Sequence, residues 1–176
     1  MIIFVAGVHG VGKTYLATPT AKQLGIKHAT ASQLIREERG TKSWSENKRV
    51  DEVHDNQTAL ISALKKLQEK GESLLLDGHF VLRDETSIPI TIDIEVFKAL
   101  QIDAVILLEG DADTICARLS ARGDQSWASE NLRSFASSEL AHAIFVTSSM
   151  GLPLQRMTAP DHAQFISVVK SFLENT

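Results

Sequence analysis

The chain of 176 residues predicts a single three-layer α/β/α domain with a mostly parallel sheet of five strands. Short apolar runs alternate with longer amphipathic segments from one end to the other, which is typical of strands connected by crossover helices. The first run, residues 2–6, leads directly into a glycine-rich turn and then into a segment of helical character. The length suits one domain with a full core, and we therefore treat residues 1–176 as one unit.

Residues 1–77 are expected to hold three strands and three helices, because each apolar run there is bounded by turn or capping residues. Gly25 should end the first helix, since glycine adopts the left-handed C-cap conformation without strain. Pro19 lies inside that helix and should kink it. Ser32 can cap the next helix through its hydroxyl. The predicted strands are 2–6, 26–30 and 73–77, and the predicted helices are 14–24, 32–37 and 51–70.

The rest of the chain continues the alternation after a loop predicted over residues 80–91. Asp111 stands where an N-cap belongs. The last helix carries its apolar residues at helical spacing, which indicates a core-facing stripe. The predicted strands are 103–108 and 154–157, and the helices are 94–100, 111–121, 129–150 and one containing Phe165, Val168, Val169 and Phe172.

Two segments read as surface structure. Residues 32–52 are predicted to form a small mobile arm, because residues 36–52 are crowded with charge and are interrupted by Gly40. Residues 122–128 are predicted to form a short lid. Trp127 in that lid either stacks on a base or covers the core, and we favour the second interpretation.

The turn after the first strand reads Gly7-Val8-His9-Gly10-Val11-Gly12-Lys13-Thr14 and matches Gly-x-x-x-x-Gly-Lys-[Ser/Thr]. Between a strand and a helix, this pattern predicts a loop whose backbone N–H groups surround a polyphosphate at a helix N-terminus. Lys13 can reach the β- and γ-phosphates, and the Thr14 hydroxyl can ligate Mg²⁺. The loop therefore indicates a nucleoside triphosphate site, formed by Gly7, His9, Gly10, Val11, Gly12, Lys13, Thr14 and Tyr15.

Asp77 ends an otherwise apolar strand. Ligands of open parallel sheets bind at the carboxyl ends of strands, so Asp77 should face the same crevice as the phosphate loop and hold Mg²⁺ directly or through water. Capping of the next turn is the alternative role for this carboxylate. His79 can contact a phosphate or a metal-bound water, or it can be a structural histidine.

Four arginines are candidates for contact with phosphate. Arg118 and Arg122 are four residues apart on one helix face and could stabilise the charge of a transferred phosphoryl group. A solvated basic face is the alternative reading of this pair. Arg36 and Arg83 could hold the phosphate of an acceptor.

The composition limits the class of protein. The formal charge of −4 argues against general nucleic-acid binding, and Cys116, the only cysteine, leaves no disulfide framework and no cysteine metal cluster. No apolar run approaches the roughly 20 residues that span a bilayer. Because the first strand starts at residue 2, we expect no signal peptide and a cytoplasmic location.

Taken together, these residues resemble the P-loop nucleoside monophosphate kinases and are similar to archaeal-type adenylate kinases and related short AAA-like nucleotide kinases. The phosphate loop matches, with His9 where adenylate kinases commonly have proline. Residues 30–36 resemble the Ser-Thr-Gly-Asp-Leu-Leu-Arg stretch, and residues 76–79 resemble the Val-Asp-Thr-His strand end. Residues 94–109 are similar to the helix and strand that follow, and Arg118 and Arg122 stand where the family has its lid arginines.

The resemblance implies a P-loop NTPase fold, ATP and Mg²⁺ as cofactors, and a small-molecule nucleotide as partner. It implies four catalytic residues, two metal ligands, one of which is also catalytic, and three residues that bind the acceptor. The catalytic set is Lys13, Arg118, Arg122 and Asp77, the metal set is Thr14 and Asp77, and the acceptor set is Arg36, His79 and Arg83.

Three functions remain open at this point. The first is phosphoryl transfer from ATP to a nucleoside monophosphate. The second is a kinase for a small hydroxyl compound, which needs a base such as Asp77 or Glu37. The third is a nucleotide-dependent ATPase or switch that acts through a protein partner, with residues 36–52 as a docking surface.

Overall fold

A computed structural model describes residues 1–40, 50–83 and 88–174, with the backbone alone for residues 50–54. Its main sheet has five strands in the order β2-β3-β1-β6-β7, and every neighbouring pair is parallel. These strands are β1 (Ile2–Ala6), β2 (Lys27–Thr30), β3 (Leu74–Asp77), β6 (Ala104–Glu109) and β7 (Leu154–Thr158). The three-layer α/β prediction is confirmed, and the sheet is parallel throughout.

The described helices flank this sheet on both faces, as parallel connections require. They are α1 (Lys13–Leu24), α2 (Ala31–Arg39), α3 (Val50–Gln68), α4 (Ile94–Leu100), α5 (Ala112–Ala121), α6 (Ser129–Met150) and α7 (His162–Glu174). The alternation along β1 places Ile2, Phe4 and Ala6 in one core and Ile3 and Val5 in the other. Helices α1 and α7 cover the second core, and α2 to α6 cover the first.

The loop predicted over residues 80–91 is wrong in part. Val81–Arg83 (β4) and Pro89–Thr91 (β5) form an antiparallel pair outside the main sheet. Each strand has three residues, which is too short for an alternating pattern to stand out.

The start of α2 is also corrected. The hydroxyl of Thr30, rather than Ser32, caps this helix by accepting a hydrogen bond from Gln33 N–H at 3.0 Å. The helix runs from Ala31 to Arg39, so the first part of the predicted arm is regular structure packed against α3. Residues 41–49 of the arm lie outside the described part of the chain, so its predicted mobility stays a prediction.

Helix α1 continues through Pro19. Proline has no N–H, so the carbonyl of Tyr15, four residues earlier, receives no helix hydrogen bond from it. A ring nitrogen of His162, at the start of α7, lies 3.1 Å from that carbonyl and donates to it. The packing of α7 on α1 thus offsets part of the cost of Pro19.

Candidate active site

The phosphate loop joins the carboxyl end of β1 to the start of α1, as the motif predicts. Gly7, Gly10 and Gly12 all have positive φ, at 136°, 76° and 114°. A Cβ on Gly7 would lie 2.5 Å from the backbone oxygen of Leu108, whereas a Cβ on Gly12 would meet nothing within 4 Å. Gly7 is therefore required by its close packing against β6. Gly12 is required by its backbone conformation, and the space beside it is open to a ligand.

Lys13 is almost fully buried, with 7% of its surface exposed. Its Nζ donates to the carbonyls of Gly7 at 2.7 Å and Val8 at 3.2 Å, and it lies 3.9 Å from Asp77 Oδ1. Burial lowers the pKa of Lys13, and the carboxylates of Asp77 and Glu139 raise it in part. The ammonium group is thus poorly solvated. It is held next to the loop by the two backbone carbonyls, which phosphate oxygens could replace as hydrogen-bond acceptors.

Thr14 and Asp77 form a pair of oxygen ligands beside the loop. Thr14 Oγ1 donates to Asp77 Oδ2 at 2.6 Å. The parallel register places Asp77, the last residue of β3, opposite Val5 near the end of β1. The pairing of these two strands therefore brings the carboxylate close to the phosphate loop that follows β1. A hydroxyl and a carboxylate suit Mg²⁺, which keeps several waters and needs few protein oxygens. Among the described residues, no group of three or more His, Cys, Asp or Glu side chains is placed to hold a metal ion.

Glu139 on α6 is a site residue that the sequence reasoning missed. Its carboxylate, 1% exposed, accepts hydrogen bonds from the backbone N–H groups of Gly7, Phe80 and Val81 at 2.8–3.2 Å. Burial raises the pKa of Glu139, and these hydrogen bonds and Lys13 offset part of that rise. A signal was present, because a charged residue stands in the middle of the apolar stripe Leu132, Phe135, Glu139, Ala143 and Val146.

A cavity of about 600 Å³ opens beside the loop. The charged residues of its described lining are Lys13, Asp77 and Arg122, and His9 and His79 also line it. Beyond the phosphate loop the lining is mainly apolar, with four further polar side chains. The apolar residues are Phe4, Ala31, Ile35, Leu60, Leu82, Ile92, Val96, Phe97 and Leu100, and the polar side chains are Thr30, Ser32, Asn56 and Gln57.

The structure brings only some of the other predicted residues to this cavity. Tyr15, Gly10 and Gly12 line it, as do His79 and Arg122. The rings of His9 and His79 are tilted against each other at a centroid distance of 4.3 Å. The histidine pair therefore closes the loop end of the cavity.

Arg36, Arg83 and Arg118 lie outside its lining. Arg36 is exposed and its Nε donates to the carbonyl of Ser32 at 3.3 Å. Arg118 is exposed on α5. Arg83 lies over the ring of Trp127 at 4.4 Å and donates to the carbonyl of Ser126.

Trp127 belongs to the core, which confirms the interpretation we favoured. It is 9% exposed and packs edge-on against Phe135. Residues 122–128 join α5 to α6 without helix or strand. The contact between Arg83 and Trp127 connects residues 122–128, the predicted lid, to β4.

The fold agrees with that of known proteins. An adenylate kinase of Methanopyrus kandleri is 26% identical over 124 residues, which cover 66% of this chain and 65% of that enzyme. The chain thus spans slightly less than two thirds of the length of this curated relative. Across the described residues, no helix combines the length and apolar character needed to cross a membrane.

Two crystal structures share the fold. The shikimate kinase of Acinetobacter baumannii, solved with shikimate, matches with a TM-score of 0.65 and 15% identity over 99% of this chain and 94% of that chain. The YorR protein of Bacillus subtilis, solved with phosphorylated GDP, matches with a TM-score of 0.59 and 17% identity over 99% and 96% of the two chains. Identities this low establish a P-loop kinase fold alone. Residues 6–136, well over half of the sequence, match the AAA_17 family, described as an AAA domain, and the chain belongs to that family.

Proposed function

We propose that the protein transfers the γ-phosphoryl group of ATP to a nucleoside monophosphate in a Mg²⁺-dependent reaction. One observation carries this proposal. The buried Lys13 and the Thr14–Asp77 pair line a cavity of about 600 Å³, and such a volume suits a second small molecule beside the phosphates. The likeness to an adenylate kinase supports a nucleotide as that molecule.

The residues of the proposed site have separate roles. Lys13 would exchange the carbonyls of Gly7 and Val8 for phosphate oxygens, and Thr14 and Asp77 would hold Mg²⁺, which neutralises charge on the phosphates. Arg122 lines the cavity and would stabilise charge on the transferred group, and Arg118 would join it from the same helix end. No general base is needed, because a monophosphate oxygen is already a nucleophile at neutral pH. Catalysis would then consist of positioning and electrostatic stabilisation.

The apolar part of the lining would hold the base of the acceptor. Phe4, Phe97 and Leu100 offer apolar surface, while Asn56 and Gln57 offer amide groups that can hydrogen-bond a ring edge. His79 would contact the acceptor phosphate from its place in the lining. Arg36 and Arg83 would reach that phosphate only after leaving Ser32 and Ser126.

A small hydroxyl compound is the second candidate acceptor. The specific observation in its favour is that the described lining has three charged side chains, Lys13, Asp77 and Arg122, and is otherwise mainly apolar, so the cavity suits an uncharged molecule beside the phosphates. Asp77 would then act as the base for the hydroxyl. Glu37 is exposed, bonded to Gln33 and outside the lining, which makes it the weaker choice.

A coupled assay of ADP release tests both candidates. The protein is incubated with ATP, Mg²⁺ and, in turn, each common nucleoside monophosphate and a set of small hydroxyl acids and sugars. Turnover that requires a monophosphate supports the first proposal, and turnover that requires a hydroxyl compound supports the second. ADP release independent of any acceptor would reject both and favour the ATPase or switch. Most of that third hypothesis's docking surface lies outside the described residues.

A further inference from the structure

We propose that Glu139 is a positioning residue: its carboxylate ties the phosphate loop to the segment after His79 and so fixes the two walls of the cavity relative to each other. The catalytic consequence rests on the proposed function, whereas the link itself is a property of the fold. No motif in the sequence includes Glu139, and it lies 126 positions after Lys13 in the chain.

The link consists of backbone hydrogen bonds from two separate loops. Oε1 of Glu139 accepts from Gly7 N–H at 3.2 Å and from Phe80 N–H at 3.0 Å. Oε2 accepts from Val81 N–H at 2.8 Å and from Phe80 N–H at 3.0 Å. Gly7 follows β1, and Phe80 and Val81 follow β3, the strand next to it in the sheet. One side chain from α6 therefore joins the loops that leave two adjacent strands.

Each of the two loops also contacts or contains a residue that lines the cavity. Gly7 donates its N–H to Glu139, and its carbonyl accepts from Lys13 Nζ at 2.7 Å. On the other side, His79 Nδ1 lies 3.9 Å from Glu139 Oε1. A shift of the carboxylate would thus displace both Gly7, at the start of the loop that would hold ATP, and His79, which would contact the acceptor.

A carboxylate at this position is costly, and that cost argues for a specific role. Glu139 is 1% exposed and lies one helical turn from the buried residues Phe135 and Ala143. A buried charge persists only where several hydrogen bonds compensate it. Glutamine has nearly the same shape, but its NH₂ group would face a backbone N–H, so it can satisfy only one side of the link.

Substitution tests the catalytic part of the proposal. Glu139→Gln should lower kcat by about 10- to 100-fold, because small displacements of reacting groups cost that much. Glu139→Asp keeps the carboxylate on a shorter chain and should recover part of the rate. Glu130→Gln, at an exposed position of the same helix, is the matched control and should match the wild type.

Urea unfolding of each variant separates positioning from simple loss of structure. A folded Glu139→Gln protein whose kcat stays within twofold of the wild type would overturn the proposal. So would a Glu139→Asp protein that is as slow as the glutamine variant while equally well folded.

A measurement on the unaltered protein decides the matter if the variants fail to fold. Amide hydrogen exchange is followed with and without a non-hydrolysable ATP analogue and Mg²⁺, in the absence of any acceptor. We expect the analogue to slow exchange at Phe80 and Val81 together with Gly7, while Leu152, whose N–H bonds to Thr147 at the far end of α6, keeps its rate. Protection of Gly7 alone would reject the link.

Binding of the analogue, measured first by calorimetry, distinguishes this failure from failure of the proposed function. A protein that binds no analogue would reject the nucleotide site and, with it, the catalytic role of Glu139. Coupled protection without phosphoryl transfer to any acceptor would reject the kinase proposal and the catalytic role of Glu139, leaving the link between the loops.

Discussion

Replacement of Lys13 by methionine separates the catalytic contribution of the ammonium group from its contribution to stability. Methionine is of similar length and carries no charge or donor. Removing one preorganised donor to a transition state typically costs about 2.7–4 kcal/mol. We therefore expect kcat for Lys13→Met to fall by at least about 100-fold.

The stability effect follows from opposing terms. At an effective dielectric constant of about 20, the 3.9 Å separation of Lys13 Nζ and Asp77 Oδ1 corresponds to an attraction of about 4 kcal/mol. The two hydrogen bonds to Gly7 and Val8 are lost as well. Against these stands the desolvation of a buried ammonium, which costs several kcal/mol. Because burial outweighs the neighbouring carboxylates and lowers the pKa of Lys13, removal of the ammonium should cost less stability than the roughly 3–5 kcal/mol that is typical of breaking a buried pair.

Two measurements check this expectation. Initial rates come from the coupled ADP assay with the best acceptor found, and the free energy of unfolding comes from urea titration. Lys22→Met, at an exposed position of the same helix, should change neither. A Lys13→Met protein with a rate within threefold of the wild type would refute the role of the lysine. A loss of more than about 3 kcal/mol of stability, the range for breaking a buried pair, would refute the stability estimate.

The pH dependence of stability gives an independent check of the same reasoning. Since the pKa of Lys13 is lowered in the folded protein, the unfolded chain binds more protons between that pKa and the ordinary value of 10.5. The wild type should therefore gain stability relative to Lys13→Met as pH rises through this window. A difference that stays constant with pH would contradict the lowered pKa.

Three further predictions concern the loop, the metal ligand and a surface pair. Gly12→Ala should lose about 1–3 kcal/mol of stability, because alanine is strained at the positive φ of this position. Gly7→Ala should lose more, because its Cβ would also clash with the backbone oxygen of Leu108. Equal losses of the free energy of unfolding, measured with urea, would disprove this order. Asp77→Asn should raise the Mg²⁺ concentration for half-maximal activity by about 10- to 100-fold. An unchanged Mg²⁺ requirement would show that the carboxylate only accepts the hydrogen bond from Thr14. Hydrogen bonds from Lys66 and Ser62 lower the pKa of Glu38. The wild type should therefore be more stable than Glu38→Gln above pH 4.5, and this advantage should vanish as pH falls through the lowered pKa. A stability difference between the two proteins that does not change with pH would contradict the lowered pKa.

Much of the fold could be predicted because its signals are local. The apolar runs that become β1, β3 and β6 are each bounded by residues that end a strand, and the helices 94–100 and 129–150 were predicted with their observed ends. The short pair β4–β5 was missed, since three residues per strand carry too little pattern. The capping of α2 was misplaced, because Thr30 and Ser32 are both good N-cap residues and only the direction of the chain entering the helix chooses between them.

The phosphate loop was determined by the sequence alone, because its glycines, Lys13 and Thr14 are neighbours in the chain and their chemistry depends on a local backbone shape. The position of Asp77 followed from strand order, since parallel strands end at one edge. The role of Glu139 was decided only by the tertiary structure. Three backbone N–H groups from distant segments converge on its side chain. The sequence shows only a charged residue within an apolar stripe and does not reveal which backbone donors that residue meets. The tertiary structure also decided which arginines line the cavity. Folding brings Arg122 there, whereas Arg36 and Arg83 bond to Ser32 and Ser126, and no sequence pattern reveals those partners.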